Sequence, residues 1–430
     1  MKQTILITLL FLFAYTVKGQ EQPVKHDYIS AFFREIKTAT EKNISLWNKD
    51  LYGAILLIDT QTRQIFANEP DLEGILKPDG NIYTGFLPEN VNFSNTSIEW
   101  SGKSWAMIML PLPENKQDRI DLIAHELFHK AQPSLGFEIK NADNNHLDLK
   151  DGRTHLRLEL EALKKAIQSP SEKEILHHLT NALTFRKYRN LLYPGSEVTE
   201  NLMELNEGIA EFTGVIISGR DEKQAKEHIA KKINSANNHP SFVRSFAYFT
   251  TSAYGYLLYG KNKMWNRNIT AMTDLTDFFT KAFNISLPTD LAKTIEIISD
   301  EYNGKTVILE ETEREENNKR MIAEYKRKFI ELPHFELRFE KMGISFNPMN
   351  IKSLDDKGTV YPNIRVVDSW GILTVENGAL MSPYWDKITI TTPIRTEGAK
   401  IFGDGWTLEL TEGYVIEKDK MNGNYQLLKK

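Results

Sequence analysis

The chain of 430 residues contains no cysteine, and that absence limits what it can fold around. No disulfide can restrain it, and no thiolate can hold a structural zinc, ligate an iron–sulfur cluster or act as a nucleophile. The fold must stand on packed apolar side chains. Metal or nucleophile chemistry falls to His, Asp, Glu, Ser, Thr, Tyr or Lys. With 41% hydrophobic and 26% charged residues the composition is that of an ordinary globular protein, long enough for about three domains. A formal charge of −5 lacks the basic footprint that phosphate neutralisation demands, so no nucleic-acid partner is expected.

The N-terminus reads as an export signal. Lys2 precedes an apolar run through Ile5, Leu6, Ile7, Leu9, Leu10, Phe11, Leu12 and Phe13. Val17 and Gly19 then stand at the −3 and −1 positions of a cleavage site before Gln20. The run is shorter than the ~20 residues that cross a bilayer, and no later segment reaches that length. Residues 1–19 are therefore expected to be a cleaved signal peptide, leaving a secreted or periplasmic chain with no membrane span. Export without disulfides suits a bacterial protein.

The remaining chain divides into three zones. In residues 20–117, an amphipathic helix is expected over 28–47 and strands over 53–59, 64–67, 82–87 and 105–112. Residues 118–332 carry helical periodicity, clearest over 156–167, 174–190, 198–218, 244–259 and 310–330. Residues 334–430 alternate apolar and polar between turn signals such as Asn377-Gly378 and Gly403-Asp-Gly405, which predicts a separate all-β domain. Together these zones make an α+β chain.

His125-Glu126-Leu127-Phe128-His129 carries the sharpest chemistry. On a helix, residues four apart share a face, so both imidazoles address one point and can hold one metal ion. Glu126 lies beside that point, where it can take a proton from a water that the cation has acidified. A catalytic zinc needs a third protein ligand, and the candidate is Glu207 in Asn206-Glu207-Gly208-Ile209-Ala210-Glu211. Glu211 shares its face and could bind metal or orient a histidine instead. Glu159 and Glu161 are further candidates, and Glu200 and Glu204 continue the acidic stripe. Gly208 inside a helix costs about 1 kcal/mol against Ala, which close packing of another helix would justify.

These two motifs resemble the gluzincin metallopeptidases, the thermolysin-like and aminopeptidase-N-like enzymes. The resemblance covers residues 119–220 and implies a zincin-like, mainly helical core. It implies Zn²⁺ on His125, His129 and Glu207, with Glu126 as general base. It also implies a catalytic tyrosine downstream of the third ligand, for which Tyr254 is the first candidate and Tyr248 the second. On the thermolysin-like pattern, His228 would serve instead. The chain departs from the family in the step of 78 positions from His129 to Glu207, a much longer one that requires inserted helices. It also lacks the Gly-x-Met-Glu-Asn segment by which aminopeptidases hold a free N-terminus. Residues 104–110 take its place as a candidate edge strand for an extended peptide, or an ordinary core strand.

The expected function is hydrolysis of peptide bonds in a peptide or protein substrate, though not as a typical aminopeptidase. An inactive scaffold of the same fold and a zinc hydrolase of non-peptide amides or esters are the competing readings. Other polar residues are expected to serve structure. Arg157, Arg186 and Arg189 would pair with the glutamate stripe, and His177-His178 would lie on the surface. His146 and His155 would sit in a loop over the cleft. Trp370, Trp385 and Trp406 would be sheet aromatics or line a ligand surface.

Overall fold

Ile55-Leu-Leu-Ile-Asp59 is apolar at consecutive positions, which suits a strand covered on both faces. It is such a strand in the computed structural model, which describes residues 26–88, 91, 93–137, 144–346 and 351–430. The expected signal peptide, residues 1–19, lies outside the described residues. The first sheet comprises β1 (Ile55–Asp59), β2 (Gln64–Ala67), β3 (Lys77–Asp79), β4 (Ile82–Phe86), β5 (Thr96–Trp100) and β6 (Lys103–Leu110). Its spatial order is β3-β4-β2-β1-β6-β5, with β1 parallel to β6 and the other pairs antiparallel. Ile55, Leu57, Ala106 and Ile108 face the helical core, while Leu56, Ile58, Trp105 and Met107 face a smaller cluster with Leu76, Leu87 and Trp100.

The edge-strand reading of residues 104–110 needs correction. β6 is hydrogen-bonded on both sides, by β1 and β5, so its backbone is spent. The outer strand beside it is β5, for which the sequence shows only a weak alternating pattern.

Twelve helices surround this sheet among the described residues: α1 (His26–Lys42), α2 (Ile44–Trp47), α3 (Lys116–Ala131), α4 (Lys150–Gln168), α5 (Glu172–Leu192), α6 (Ser196–Met203), α7 (Ile209–Ile217), α8 (Glu222–Ala236), α9 (Phe246–Lys261), α10 (Leu275–Ala282), α11 (Leu291–Ile298) and α12 (Gly304–Lys326). None is long and apolar enough to cross a membrane. The single helix expected over 198–218 is broken by a π turn, Glu204–Gly208, between α6 and α7.

Two glycines set how closely α7 lies to its neighbours. A Cβ on Gly214 would fall 2.4 Å from Asp121 Oδ1 on α3, and one on Gly208 would fall 2.2 Å from Thr251 Oγ1 on α9. Both approaches are shorter than any side chain allows, so α7 and the π turn before it lie close against α3 and α9. Behind them lies a buried ionic network. Arg186 bonds Glu159 and both oxygens of Glu204; Arg189 bonds Glu159 and both oxygens of Glu200; His146 reaches Glu200. Arg157 does not join the stripe but pairs with Glu310 and Glu311 of α12.

The described residues between 334 and 429 form two sheets, of seven and six strands, around one core that includes Phe335, Leu373, Ile388 and Leu408. Trp370 and Trp406 are buried in it, their indole nitrogens donating to Arg338 O and Thr391 Oγ1, so of the three tryptophans Trp385 alone is exposed.

The ionic network predicts an acid-labile step. Burial alone would raise the Glu200 carboxyl, but Arg189 and His146 bring it down to about 2. Because this folded value lies below the unfolded one, the stabilisation is complete above the free carboxyl range and is lost as pH falls toward 2. Removing one partner of such a buried network costs ~3–5 kcal/mol. Glu200→Gln should therefore lower the melting temperature clearly at pH 7 and much less at pH 3, read by circular dichroism.

Candidate metal centre

Asn115 starts α3 by accepting hydrogen bonds from the backbone N–H groups of Gln117 and Asp118. The helix then buries Ile120, Ile123, Ala124, Leu127 and Phe128 between the sheet and α7. This leaves His125 and His129 on the face toward the π turn. Their Nε2 atoms are 3.0 Å apart, and Glu207 Oε2 lies 3.1 Å from that of His129 and 3.5 Å from that of His125. A tetrahedral ion with Zn–N bonds of about 2.0–2.1 Å spaces its ligands by about 3.3 Å, so the three atoms match a zinc site. The outer ring nitrogens are engaged elsewhere. His129 Nδ1 lies 2.8 Å from Gln132 Oε1, and His125 Nδ1 lies 3.5 Å from Glu211 Oε2. With Nδ1 protonated on each ring, two lone pairs face one another across 3.0 Å, an arrangement that a cation relieves.

A proton can meet the same demand for positive charge. Burial works against a charged His125, yet Glu207 and Glu211 hold its imidazolium up to about 10. Glu207 is held well below the usual carboxylate range despite burial, chiefly by the two histidines. The cluster is a negative pocket that retains positive charge. Glu126 is only 4% exposed, its Oε2 has no hydrogen-bond partner, and burial raises its carboxyl. A base held this way gains from receiving a proton.

The π turn decides which glutamate reaches the centre. In one unbroken α-helix, positions 200, 204, 207 and 211 would share a face. The extra residue in the turn rotates α7 relative to α6 by roughly 100°. Glu200 and Glu204 consequently face Arg189 and Arg186, while Glu207 and Glu211 face the histidines. Glu211 stands behind His125 with Lys232 on its other oxygen. Glu159 belongs to the ionic network, and Glu161 pairs with Lys164 at 2.6 Å.

The tyrosine of the centre is Tyr248, not Tyr254. Tyr248 donates its hydroxyl proton to Glu207 Oε2 at 2.6 Å, and its ring stacks on His125 with centroids 5.4 Å apart. Tyr254 is fully buried, donates to Glu159 at 3.1 Å and lies under the Arg186 guanidinium. Six positions along a helix amount to about 120° around its axis, so the two hydroxyls point apart. His228 faces Asp121, one turn before His125. His155 lies buried within α4 against Tyr188 rather than in a loop. Gln132, Asn206 and Lys232 were not singled out by the sequence pattern. Only Gln132 had a usable signal, three positions after His129.

The geometry predicts one zinc ion per chain, measured by atomic spectroscopy after dialysis. His125→Ala, His129→Ala and Glu207→Gln should each abolish it. Glu211→Gln should weaken it ~10–100-fold, as loss of an orienting partner does. Tyr254→Phe should lower the melting temperature and leave the metal content unchanged. Comparison with protein families, curated proteins and solved structures finds no match for this chain.

Proposed function

We propose that the chain is an exported zinc-dependent peptidase of the gluzincin type, with a zincin-like core. The observation that carries this reading is the convergence of His125 Nε2, His129 Nε2 and Glu207 Oε2 within 3.5 Å, with Glu126 orphaned beside them. Two imidazoles and one carboxylate form the ligand set of a catalytic zinc with an open position. When bound, zinc would supply Lewis acidity toward water and toward a substrate carbonyl.

The chain's own groups account for the proton transfers. Glu126 takes the proton of the attacking water as it adds to the peptide carbonyl. Having become a buried neutral acid, it returns the proton to the departing amine nitrogen. Tyr248 places a hydroxyl donor at the rim of the centre, where it can turn from Glu207 to the oxyanion that forms on the former carbonyl. The cost of burying a phenolate, together with Glu207, raises the Tyr248 hydroxyl far above its free value, so it acts as a donor across the physiological range. For the substrate, the edge of β5, outermost in its sheet among the described residues, lies on the part of the sheet crossed by α3, and an extended peptide pairs with such an edge through its backbone.

Replacing Glu126 by Gln tests the reading. Zinc content should stay at the wild-type level while hydrolysis of a mixed peptide library, followed by mass spectrometry, falls by about 10²–10⁴-fold. Tyr248→Phe should reduce turnover by about 10²–10³-fold and spare substrate affinity. Full activity in the Glu126 variant would overturn the general-base role. A wild-type chain without metal would favour the scaffold, and hydrolysis of esters alone would favour a non-peptide substrate.

A further inference from the structure

Gln132, the residue after α3, is 5% exposed and uses both ends of its carboxamide. Its Nε2 donates to the carbonyl oxygen of Asn206 at 3.0 Å, and its Oε1 faces His129 Nδ1 at 2.8 Å. The partners leave no freedom in this assignment. A backbone carbonyl only accepts, so the amide nitrogen must face Asn206 and the amide oxygen must face the imidazole. An amide oxygen cannot donate, so the shared proton sits on His129 Nδ1. Nε2 is thereby left as a lone pair aimed at the centre. The circuit then closes: Asn206 Nδ2 donates to Glu207 Oε1 at 3.1 Å, and Glu207 Oε2 returns to within 3.1 Å of His129 Nε2. Two amide side chains thus join one metal ligand to another across the gap between α3 and the π turn.

We propose that Gln132 is a positioning residue for the metal, and the proposal rests on the zinc reading above. It selects the His129 tautomer that presents Nε2, and its hydrogen bond to Asn206 O fixes which end of the amide faces that ring. His125 has a different backing, a carboxylate whose charge Lys232 offsets. The two histidines therefore differ as donors, His129 being the one whose direction depends on an uncharged group.

Two substitutions separate orientation from mere packing. Gln132→Glu keeps an acceptor for His129 and loses the donor to Asn206, whereas Gln132→Leu loses both. Zinc dissociation constants come from competition with a chromophoric chelator, and visible bands of the cobalt(II)-loaded chain report the coordination. Gln132→Leu should bind zinc ~10–100-fold more weakly with altered cobalt bands, and Gln132→Glu should stay within about threefold of wild type with its bands retained. Melting curves check folding, and Gln132→Met, close in shape to Gln, replaces the Leu variant if that chain does not fold. Equal weakening in Glu and Leu variants, or wild-type affinity in both, would overturn the assignment while leaving the zinc reading intact. A wild-type chain that takes up no zinc would remove both.

Discussion

The candidate metal centre depends on how closely α7 and the turn before it lie between α3 and α9. The histidines sit on α3, the glutamates on the π turn and α7, and Tyr248 on α9, so none of these groups meet unless the three helix backbones nearly touch. Gly208 and Gly214 permit that approach, because any side chain there would overlap Thr251 or Asp121. A local backbone weakness, about 1 kcal/mol for each glycine in a helix, is exchanged for a geometry that no larger residue allows.

The charges around the centre fall into two separate groups. On one side Arg186 and Arg189 absorb Glu159, Glu200 and Glu204 in a region closed to solvent. On the other, Glu207 and Glu211 have histidines and one lysine as partners, leaving a pocket that favours added positive charge. A buried carboxylate without such compensation would be very costly, so the arginines leave the second pair of glutamates to the histidines. The π turn makes this division possible within a single acidic stretch.

Much of the outline was legible in the chain itself. The consecutive apolar residues of β1, the helical spacing of His125 and His129, and the alternation after residue 334 each express a local rule, and each element formed where that rule places it. Gly208 signalled a close helix contact before the contacting residue was known. Less legible were β3, too brief for periodicity to register, β5, whose alternation is weak, and the break in the helix over 198–218. A π turn shifts the phase of the pattern by a single residue between two short helices, too local a change for a search for period 3.6 to register.

The sequence by itself determined that two histidines and one glutamate lie together on a helix, that no thiolate can join them, and which stretches become strand or helix. These features arise from neighbours along the chain and from the fixed geometry of each element. Only the tertiary structure decided which of several glutamates meets the two histidines, which tyrosine reaches it, and which strand lies outermost beside β6. Each of those choices depends on the rotation of one element relative to another. One extra residue in a turn, or six positions along α9, is enough to send a side chain to the opposite side of the core.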